Sequence, residues 1–541
     1  MKYINYVEDN NKESAIAVIN DDGVLDLVYT EERYDKKKYS DIFPYHSLEK
    51  LVNKFDGKIK MYAKSDKERY LFKLFIPSIS FDIKNEKPYS HHLLHCYESF
   101  YTSGFDRAAV LVADGYGNDP DLGQISMVLY HKIGVETQVL KKYLVNDSLG
   151  KFYSDACEFL GFKFNHEGEF MGLSAYGKPS NEHYCWIENG NVKKNYSKED
   201  WERNYYVCGN RDLDIINASN FVATVQRDLN ECIIEILKYL KELTHEDNLC
   251  LSGGIFNNVI TNNLICESGI FEKVWCSPAP GDYGLTVGLT SFSYECDNEN
   301  AKSKKLISPY LGEEYSDKYI RSFLKKNGVK FHEAKLEELA DILVYNHVIV
   351  WFQGRSEYGR RALGHRSILC NPNYRRNYKK ISMDTKNRAA YRPLACSVPN
   401  ELFDLMFDVK SNDLTEFMLR SIPVKEEIRG KIPACLAADG TTRPQRLERD
   451  VNPELYDVIM DFYKKTGIPC VVNTSLNGGG DPIIEGLNEC INFSKSAGTI
   501  DFIVFNGKYL VDVATCSEVM NTLRNNSDDN WSALFDKINI K

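Results

Sequence analysis

The chain of 541 residues is 43% hydrophobic and 27% charged, with a formal net charge of −10 at pH 7. This acidic balance argues against a globally basic nucleic-acid-binding protein, and no apolar stretch approaches the roughly 20 residues that would cross a membrane. Fifteen cysteines without a Cys-x-x-Cys pair, and the lack of a signal-peptide core, indicate reduced thiols in a cytoplasmic protein and no disulfide framework or zinc ribbon.

Apolar runs and turn signals predict the elements of the N-terminal half. Residues 15–19 and 24–29 flank an Asn-Asp-Asp-Gly turn and predict a hairpin. Helical periodicity and continuous apolar runs predict the elements that follow. The helices are expected over residues 92–101 and 221–243, and the strands over residues 108–113, 125–130 and 139–145.

A polar stretch divides the chain. Residues 294–305 contain few apolar side chains and predict a linker. Beyond it, helices are expected over residues 336–345 and 455–465, and strands over residues 348–352, 471–472 and 501–505. The pattern predicts an α/β fold with two lobes, residues 1–297 and residues 298–541, the second carrying a C-terminal extension.

Two distant parts of the chain supply nitrogen and oxygen donors. His91 and His95 are four residues apart, so a helix would place them on one face. Asp114 ends the apolar run over residues 108–113 and is predicted to open a glycine turn, and Asp282 lies in a Pro/Gly turn. Asp-Gly turns and isolated histidine pairs are also common without a metal. Together, these four residues predict a site for iron(II), manganese or zinc with an open position.

Two glycine-rich stretches have phosphate-binding character. In residues 249–258 a predicted strand leads into Ser252, Gly253 and Gly254, with Asn257 before a helix. Glycines let the backbone approach a nucleotide, and a helix N-terminus attracts phosphate. The second stretch, residues 167–178, contains Gly172. Either stretch alone is also typical of a structural loop, but their order between Asp-Gly-x-Gly and Pro-Gly-Asp indicates an actin/sugar-kinase/Hsp70 type of ATP-binding fold.

The second lobe carries cations and amides and no metal-type cluster. Arginine-rich loops suit phosphate because one guanidinium group binds two oxygens. Structural salt bridges are the alternative for some of these residues. The set comprises Arg355, Arg361, Arg366, Lys386, Arg388, Arg392, Arg443 and Asn473.

Four segments, residues 91–95, 171–177, 354–369 and 473–477, resemble the NodU/CmcH family of ATP-dependent O-carbamoyltransferases. The resemblance extends to about residue 510 and implies a kinase-like first lobe that binds a metal and carbamoyl-adenylate. It implies a YrdC-like second lobe that binds carbamoyl phosphate and ATP. The residues implied to hold carbamoyl phosphate are Lys386, Arg392, Arg443 and Asn473, and those implied near the nucleotide are Arg361 and Arg366.

The resemblance also implies a reaction sequence. Carbamoyl phosphate loses phosphate, and the carbamate attacks the α-phosphate of magnesium-bound ATP to give carbamoyl-adenylate and pyrophosphate. The adenylate passes to the first lobe through a channel that excludes water. There the two glycine-rich stretches would hold the nucleotide, and the metal would act as a Lewis acid while an acceptor hydroxyl attacks. His92 is the base candidate nearest in sequence, with a structural histidine as the alternative.

The acceptor is left open between two classes. One is a hydroxyl of a secondary-metabolite sugar or related small molecule; the other is a hydroxymethyl group on a nucleobase, in a nucleotide or in DNA. The aromatic and basic residues 374–380 are the reason to retain the nucleobase class. A tRNA threonylcarbamoyl-transfer component, a non-catalytic ATP-binding protein and a sugar kinase are the rival functions. A homodimer is left open.

Three departures from the family pattern concern proton transfer and the acceptor pocket. Ala389 stands where the family has glutamate, and Ala437 stands where it has histidine. In the first strand, residues 11–15 read Asn-Lys-Glu-Ser-Ala in place of His-Asp-Ser-Ser-Ala. The predicted metal and phosphate ligands are all retained.

Overall fold

The predicted hairpin opens a five-stranded sheet. Its strands are β1 (Lys2–Asp9), β2 (Lys12–Ile19), β3 (Leu25–Thr30), β4 (Ile59–Ala63) and β5 (Phe81–Asn85), in the order β3-β2-β1-β4-β5. Strand β1 pairs antiparallel with β2 and parallel with β4. This computed structural model describes residues 2–9, 12–52, 54, 59–63, 81–85, 89–163, 165–204, 211–409 and 412–516.

A second sheet repeats this arrangement. Its strands are β6 (Arg107–Asp119), β7 (Gly123–Ile133), β8 (Glu136–Leu144), β11 (Asn248–Ser252) and β12 (Lys273–Cys276), whereas β9 (Cys185–Glu188) and β10 (Asn191–Lys194) form a separate pair. The order is β12-β11-β6-β7-β8, with β6 antiparallel to β7 and parallel to β11. Each sheet thus places a three-stranded meander beside two parallel strands, which agrees with the predicted actin/sugar-kinase type of fold.

Helices pack on and between these two sheets. They are α1 (Glu32–Asp35), α2 (Tyr45–Val52), α3 (His91–Ser103), α4 (Leu149–Phe159), α5 (Glu167–Leu173), α6 (Lys198–Asn204), α7 (Arg211–Thr244), α8 (Val259–Glu267) and α9 (Leu285–Asp297), with 3-10 turns at Val145–Asp147, Ser174–Tyr176, Gly254–Asn257 and Asp282–Gly284. Helices α3 and α9 pack against each other; α9 lies on β1 and β2, and α3 lies on β6 and β11. The two sheets therefore share a helical layer, and α3 carries the histidine pair into it.

Local sequence signals fix the ends of α3. The hydroxyl of Ser90 accepts a hydrogen bond from the backbone N–H of Leu93, which caps the helix start. Gly104 adopts a left-handed conformation and ends the helix. Every residue of α3 except Leu93 is buried, so the predicted helix over residues 92–101 is confirmed as a buried element.

The second lobe is built on an eight-stranded mixed sheet. Its strands are β13 (His332–Glu333), β14 (Ile349–Phe352), β15 (Arg366–Cys370), β16 (Ala395–Pro399), β19 (Pro444–Leu447), β20 (Val471–Ser475), β21 (Phe502–Phe505) and β22 (Tyr509–Asp512), in the order β13-β22-β21-β14-β15-β20-β16-β19. Strands β17 (Ile422–Pro423) and β18 (Thr441–Thr442) pair separately. The α/β prediction is confirmed, and the YrdC-like assignment of this lobe stays a prediction.

Mostly short helices surround this sheet. They are α10 (Asp317–Lys326), α11 (Leu336–Val344), α12 (Arg375–Tyr378), α13 (Phe403–Met406), α14 (Asp413–Glu416), α15 (Glu426–Arg429), α16 (Pro453–Thr466) and α17 (Leu487–Ala497), with turns at Lys379–Thr385, Asn400–Leu402 and Val513–Thr515. Across the described ranges, no helix combines the length and apolarity needed to cross a bilayer.

The predicted linker is hydrogen-bonded to the first lobe. Helix α9 runs to Asp297, so the helix ends later than the polar pattern indicated. Beyond it, the backbone N–H groups of Lys304 and Leu306 donate to the carbonyls of Tyr101 and Thr102. The division of the chain into residues 1–297 and 298–541 stays a prediction, and the expected C-terminal extension after residue 516 lies outside the described residues.

An apolar interface joins the two halves. Leu363, Phe417 and Leu419 from the second half belong to the hydrophobic core of the first. Phe417 meets the fully buried Trp275 edge-on, with ring centroids 5.8 Å apart. This packing fixes how the two halves face each other across the site described next.

Candidate metal centre and adjoining cavity

Four donor atoms meet where α3 faces the ends of β6 and β12. The Nε2 atoms of His91 and His95 are 3.2 Å apart. Asp114 Oδ2 lies 3.3 and 3.4 Å from these nitrogens, and Asp282 Oδ1 lies 3.4 and 3.5 Å from them. A regular tetrahedron with edges of about 3.4 Å has its centre ~2.1 Å from each corner, which is a metal–nitrogen or metal–oxygen bond length for zinc. The donor set and its spacing therefore fit a divalent metal ion.

Asp114 is positioned by an irregularity within β6. The sequence predicted that the strand ends at this residue, and that prediction was wrong: β6 continues to Asp119, with a register shift against β7 between Ala113 and Gly117. A bulge re-aims side chains without ending the strand. A Cβ atom on Gly117 would lie 2.5 Å from the ring of His91, so this glycine makes room for a metal-site histidine.

Gly253 allows the second glycine-rich loop to approach the same bulge. Its φ angle is +105°, and an added Cβ would lie 2.2 Å from the carbonyl oxygen of Ala113. Any side chain would push β11 away from β6. The glycine therefore serves a close contact between backbones, and a nucleotide contact by Gly253 stays a prediction.

Ser252 orients His95. The Nδ1 atom of His95 lies 3.0 Å from Ser252 Oγ, and that hydroxyl is also 3.2 Å from Glu98 and 3.1 Å from the carbonyl of Pro280. Ser252 is fully buried and does not line the cavity. Its hydroxyl holds the imidazole so that Nε2 points to the donor cluster. The nucleotide contact of Ser252 stays a prediction, and this placement favours a role in orienting His95.

The side chain of His92 does not face the cavity. Its side chain is fully buried, neither ring nitrogen contacts a side-chain partner, and it is not among the residues that line the cavity. Burial, with a contribution from His91, lowers the pKa of His92 to about 3. The base role of His92 stays a prediction, and this placement favours the structural alternative.

A single cavity of about 940 Å³ extends from the donor cluster into the second lobe. From the first lobe, Asp114, Gly172, Gly254, Asn257 and Asp282 line it. From the second lobe, the lining includes the predicted residues Arg361, Lys386, Arg388, Arg392, Arg443 and Asn473. Residues from both predicted sites thus face one volume, as a protected transfer path requires.

Three of the arginines in this cavity lack an ionic partner in the described structure. Arg361, Arg388 and Arg443 form no ion pair within the described part of the chain. Burial, and the charges of nearby arginines, lower the pKa of Arg361 to about 10 and the pKa of Arg388 to about 9, and hold the pKa of Arg443 well below its usual range. Clustered arginines that form no ion pair favour an anion as ligand, because an anion relieves their mutual repulsion.

Lys386 is the most enclosed of these cations, at 1% exposure. Its Nζ donates to the carbonyl of Ser475 at 2.5 Å and to Asn477 Oδ1 at 2.6 Å. Burial, together with Arg388 and Arg392, holds the pKa of Lys386 well below its usual range. The amide of Asn473 donates to Ser397 at 2.8 Å and leaves its buried Oδ1 without a hydrogen-bond partner.

Two arginines of the predicted set donate to backbone carbonyls. Arg366, expected near the nucleotide, is fully buried, donates to the carbonyls of Gln353 at 2.7 Å and Glu313 at 3.0 Å, and does not line the cavity. Arg355 donates to the carbonyl of Leu311 at 2.9 Å. The nucleotide role of Arg366 stays a prediction. These contacts favour the structural alternative, because the bends of the arginine-rich loop leave buried carbonyls that a guanidinium group satisfies.

Sequence reasoning missed the acidic residues of the cavity. Glu169 forms an ion pair with Arg392 at 2.8 Å. A carboxylate of the first lobe therefore contacts an arginine that is predicted to bind carbamoyl phosphate. Glu13 pairs with Arg360, and burial, with the nearby Asp282 and Glu32, raises the pKa of Glu13 to about 8. The signal for Glu13 was its place among the departures in residues 11–15.

Comparisons with known proteins show the family of this chain. The family model described as Carbamoyltransferase N-terminus matches residues 49–290, and Carbamoyltransferase C-terminus matches residues 340–512. Nodulation protein NolNO of Sinorhizobium fredii is 30% identical over 79% of this chain and 64% of its own length. An uncharacterized protein of Methanocaldococcus jannaschii is 30% identical over 83% of this chain and 77% of its own length.

A solved structure of full-length HypF, in a phosphate- and nucleotide-bound form, is 12% identical with a TM-score of 0.35, covering 55% of this chain and 56% of that one. A likeness this low supports no inference.

The protein combines an α/β fold, a kinase-like first lobe and a cavity lined by cations. The chain belongs to the carbamoyltransferase family, and this membership supports an enzyme that transfers carbamoyl groups. The chain spans 64% of the length of its NolNO relative.

Proposed function

We propose that this protein is an ATP-dependent O-carbamoyltransferase that uses carbamoyl phosphate and proceeds through carbamoyl-adenylate. The observation that carries the proposal is the single cavity, which joins unpaired cations of the second lobe to the four-donor cluster of the first. Phosphates fit the cationic end, and a group awaiting transfer fits the metal end.

The first step takes place among the cations. Water cleaves carbamoyl phosphate to carbamate and phosphate, held by Lys386, Arg392, Arg443 and the unpartnered Oδ1 of Asn473, which accepts from the carbamoyl amide. A carbamate oxygen then attacks the α-phosphorus of magnesium-bound ATP, forming an O–P bond as pyrophosphate leaves. Arg361 and Arg388 face the same space and stabilise charge that develops on the phosphates.

The second step takes place at the other end of the cavity. Gly254, Asn257 and Gly172 line the path on which the adenylate would lie. A divalent metal held by His91, His95, Asp114 and Asp282 would supply Lewis-acid polarisation there. The acceptor oxygen attacks the carbamoyl carbon, the bond from that carbon to the adenylate oxygen breaks, and AMP leaves with the electron pair. Enclosure by both lobes limits the competing attack by water.

A small-molecule hydroxyl is the proposed acceptor. A specific feature supports the nucleobase alternative: Tyr374, Arg375 and Arg376 are exposed, with the Arg376 guanidinium 5.1 Å from the Tyr374 ring centroid. The hydroxyl of Tyr378 donates to the carbonyl of Ala390, next to the cation-bearing loop. Aromatic and basic side chains beside a deep cavity suit a nucleic acid strand with an extruded base.

One experiment tests the proposal. Purified protein receives ATP, magnesium, iron(II) and carbamoyl phosphate, and the released pyrophosphate and AMP are measured. Parallel reactions contain a panel of hydroxylated metabolites or DNA with hydroxymethylated bases, and products are identified by mass spectrometry. Carbamoyl phosphate-dependent pyrophosphate release, with one carbamoyl group gained by an acceptor, is the expected result.

The same reactions separate the rival functions. A sugar kinase would release ADP in place of AMP. A threonylcarbamoyl-transfer component would not depend on carbamoyl phosphate, and a non-catalytic ATP-binding protein would release no pyrophosphate. Any of these three outcomes would remove the carbamoyltransferase proposal for this chain.

A further inference from the structure

Glu13 presents a buried oxygen to the metal end of the cavity. The residue lies near the start of β2, lines the cavity and is 6% exposed. One carboxylate oxygen, Oε1, accepts a hydrogen bond from Arg360, whereas Oε2 is buried without a partner. An unsatisfied buried carboxylate oxygen is costly, so its presence at a cavity wall indicates a ligand that donates to it.

Arg360 holds Glu13 in place from the opposite half of the chain. Its guanidinium carbon lies 4.9 Å from the ring centroid of Tyr39 and 4.7 Å from that of Tyr283. Tyr283 directly follows the donor residue Asp282. Contacts with two aromatic rings restrict the guanidinium group, so its partner Glu13 is held beside the Asp282 turn.

A second contact ties β2 to the same turn. Thr286, in the helix that follows Asp282, donates through its hydroxyl to the carbonyl of Ala15 at 3.3 Å. Strand β2 also packs against the 3-10 turn Asp282–Gly284. The distance between Glu13 and the donor cluster is therefore set by a rigid part of the fold.

Charge decides which ligand suits Glu13. Its acidic neighbours are Asp282 and Glu32, and its cationic partner is Arg360. The Glu13–Arg360 pair carries no net charge, so it does not balance the charge of a phosphate, whereas a neutral O–H donor needs no such balance. Glu32 is already engaged, since its Oε2 accepts from the Tyr283 hydroxyl at 2.8 Å and the Tyr39 backbone at 2.9 Å. Glu13 Oε2, by contrast, is buried with no hydrogen-bond partner and can accept from an acceptor hydroxyl.

We propose that Glu13 binds the acceptor hydroxyl and accepts its proton during carbamoyl transfer. This inference rests on the proposed function. The acceptor O–H bond breaks and its proton moves to Glu13 Oε2, while the acceptor oxygen bonds to the carbamoyl carbon and AMP departs. The resembling family has serine at this position, so Glu13 is a feature of this chain.

The test compares two nucleophiles that differ in their need for a base. Glycerol must lose a proton to become reactive, whereas hydroxylamine attacks as a neutral amine and gives hydroxyurea. Wild type and Glu13→Gln each receive ATP, magnesium, iron(II) and carbamoyl phosphate with both nucleophiles in excess. The ATP-dependent carbamoyl-glycerol and hydroxyurea are quantified, together with pyrophosphate. Glutamine keeps the bond from Arg360 but cannot accept the proton.

Glu13→Gln should lower the ratio of carbamoyl-glycerol to hydroxyurea about 100-fold, the scale of a lost general base, with pyrophosphate release and hydroxyurea unchanged. Asp155→Asn is the matched control, because Asp155 is a rim carboxylate already paired with Lys151 at 2.8 Å; its ratio should equal that of wild type.

Three results would overturn the assignment of Glu13: an unchanged ratio in Glu13→Gln, a parallel loss of pyrophosphate release and hydroxyurea in that variant, or wild-type protein that forms hydroxyurea but no carbamoyl-glycerol. Failure of the proposed function itself looks different, since wild type would then release no pyrophosphate in response to carbamoyl phosphate.

Discussion

Replacement of Ser252 by alanine separates the two roles that sequence and structure give this residue. In the structure its hydroxyl lies 3.0 Å from His95 Nδ1 and 3.2 Å from Glu98. Ser252→Ala leaves a buried imidazole N–H and a buried carboxylate oxygen short of a partner, each costing about 1–3 kcal/mol. Because the ring of His95 is then free to turn, metal affinity should fall about 10- to 100-fold, the usual effect of losing a hydrogen bond to a ligand histidine.

Metal affinity is measured by competition with a chelator, using zinc, manganese and iron(II) in turn, and ATP affinity is measured on the same samples. Ser291→Ala is the control, because Ser291 is fully buried and its hydroxyl donates to the carbonyl of Val287 within α9. An unchanged metal affinity in Ser252→Ala, accompanied by weaker ATP binding, would refute the reasoning and restore the nucleotide contact predicted from the sequence.

Three further substitutions probe the division of labour. His95→Ala should abolish carbamoyl transfer and leave pyrophosphate formation largely intact, measured in parallel assays; loss of both would show that the lobes do not act separately. Arg392→Ala should stop pyrophosphate release, and normal release would remove Arg392 from the carbamoyl phosphate site. Arg443→Met should weaken carbamoyl phosphate binding at least tenfold, from the loss of a charged hydrogen bond worth about 1.5–3 kcal/mol. Thermal shift with carbamoyl phosphate reports this change, and an unaltered shift would exclude contact with the ligand.

The fold was largely predictable because its strands and helices have strong local signals. The apolar run over residues 108–113 forms the fully buried part of β6, and the predicted hairpin is formed by β2 and β3. The boundaries were less accurate. β6 passes through Asp114 because β7 pairs with it beyond the bulge, and such pairing is a tertiary property that local sequence does not encode.

The donor cluster was predictable for a different reason. His91 and His95 are related by helix geometry alone. Asp114 lies at the bulge of β6 and Asp282 follows β12, and both strands are neighbours of β11 in one sheet. The directions of Ser252, Arg366 and His92 were not predictable. Each of these directions depends on which neighbouring group forms a hydrogen bond with a buried polar atom, and the spacing of a motif does not specify that group.

The pairing of Arg392 with Glu169 bears on how the cationic end of the cavity operates. The two side chains are 28% and 22% exposed, and ion pairs with that access to solvent contribute at most about 1 kcal/mol. A bond from a guanidinium group to a phosphate contributes about 1.5–3 kcal/mol, so an arriving phosphate displaces Glu169 at little cost. The two lobes do not rely on this ion pair, because Leu363, Phe417 and Leu419 hold them together through the apolar core. If Arg392 binds carbamoyl phosphate as proposed, it can exchange a carboxylate for the substrate while the apolar core keeps the two lobes together.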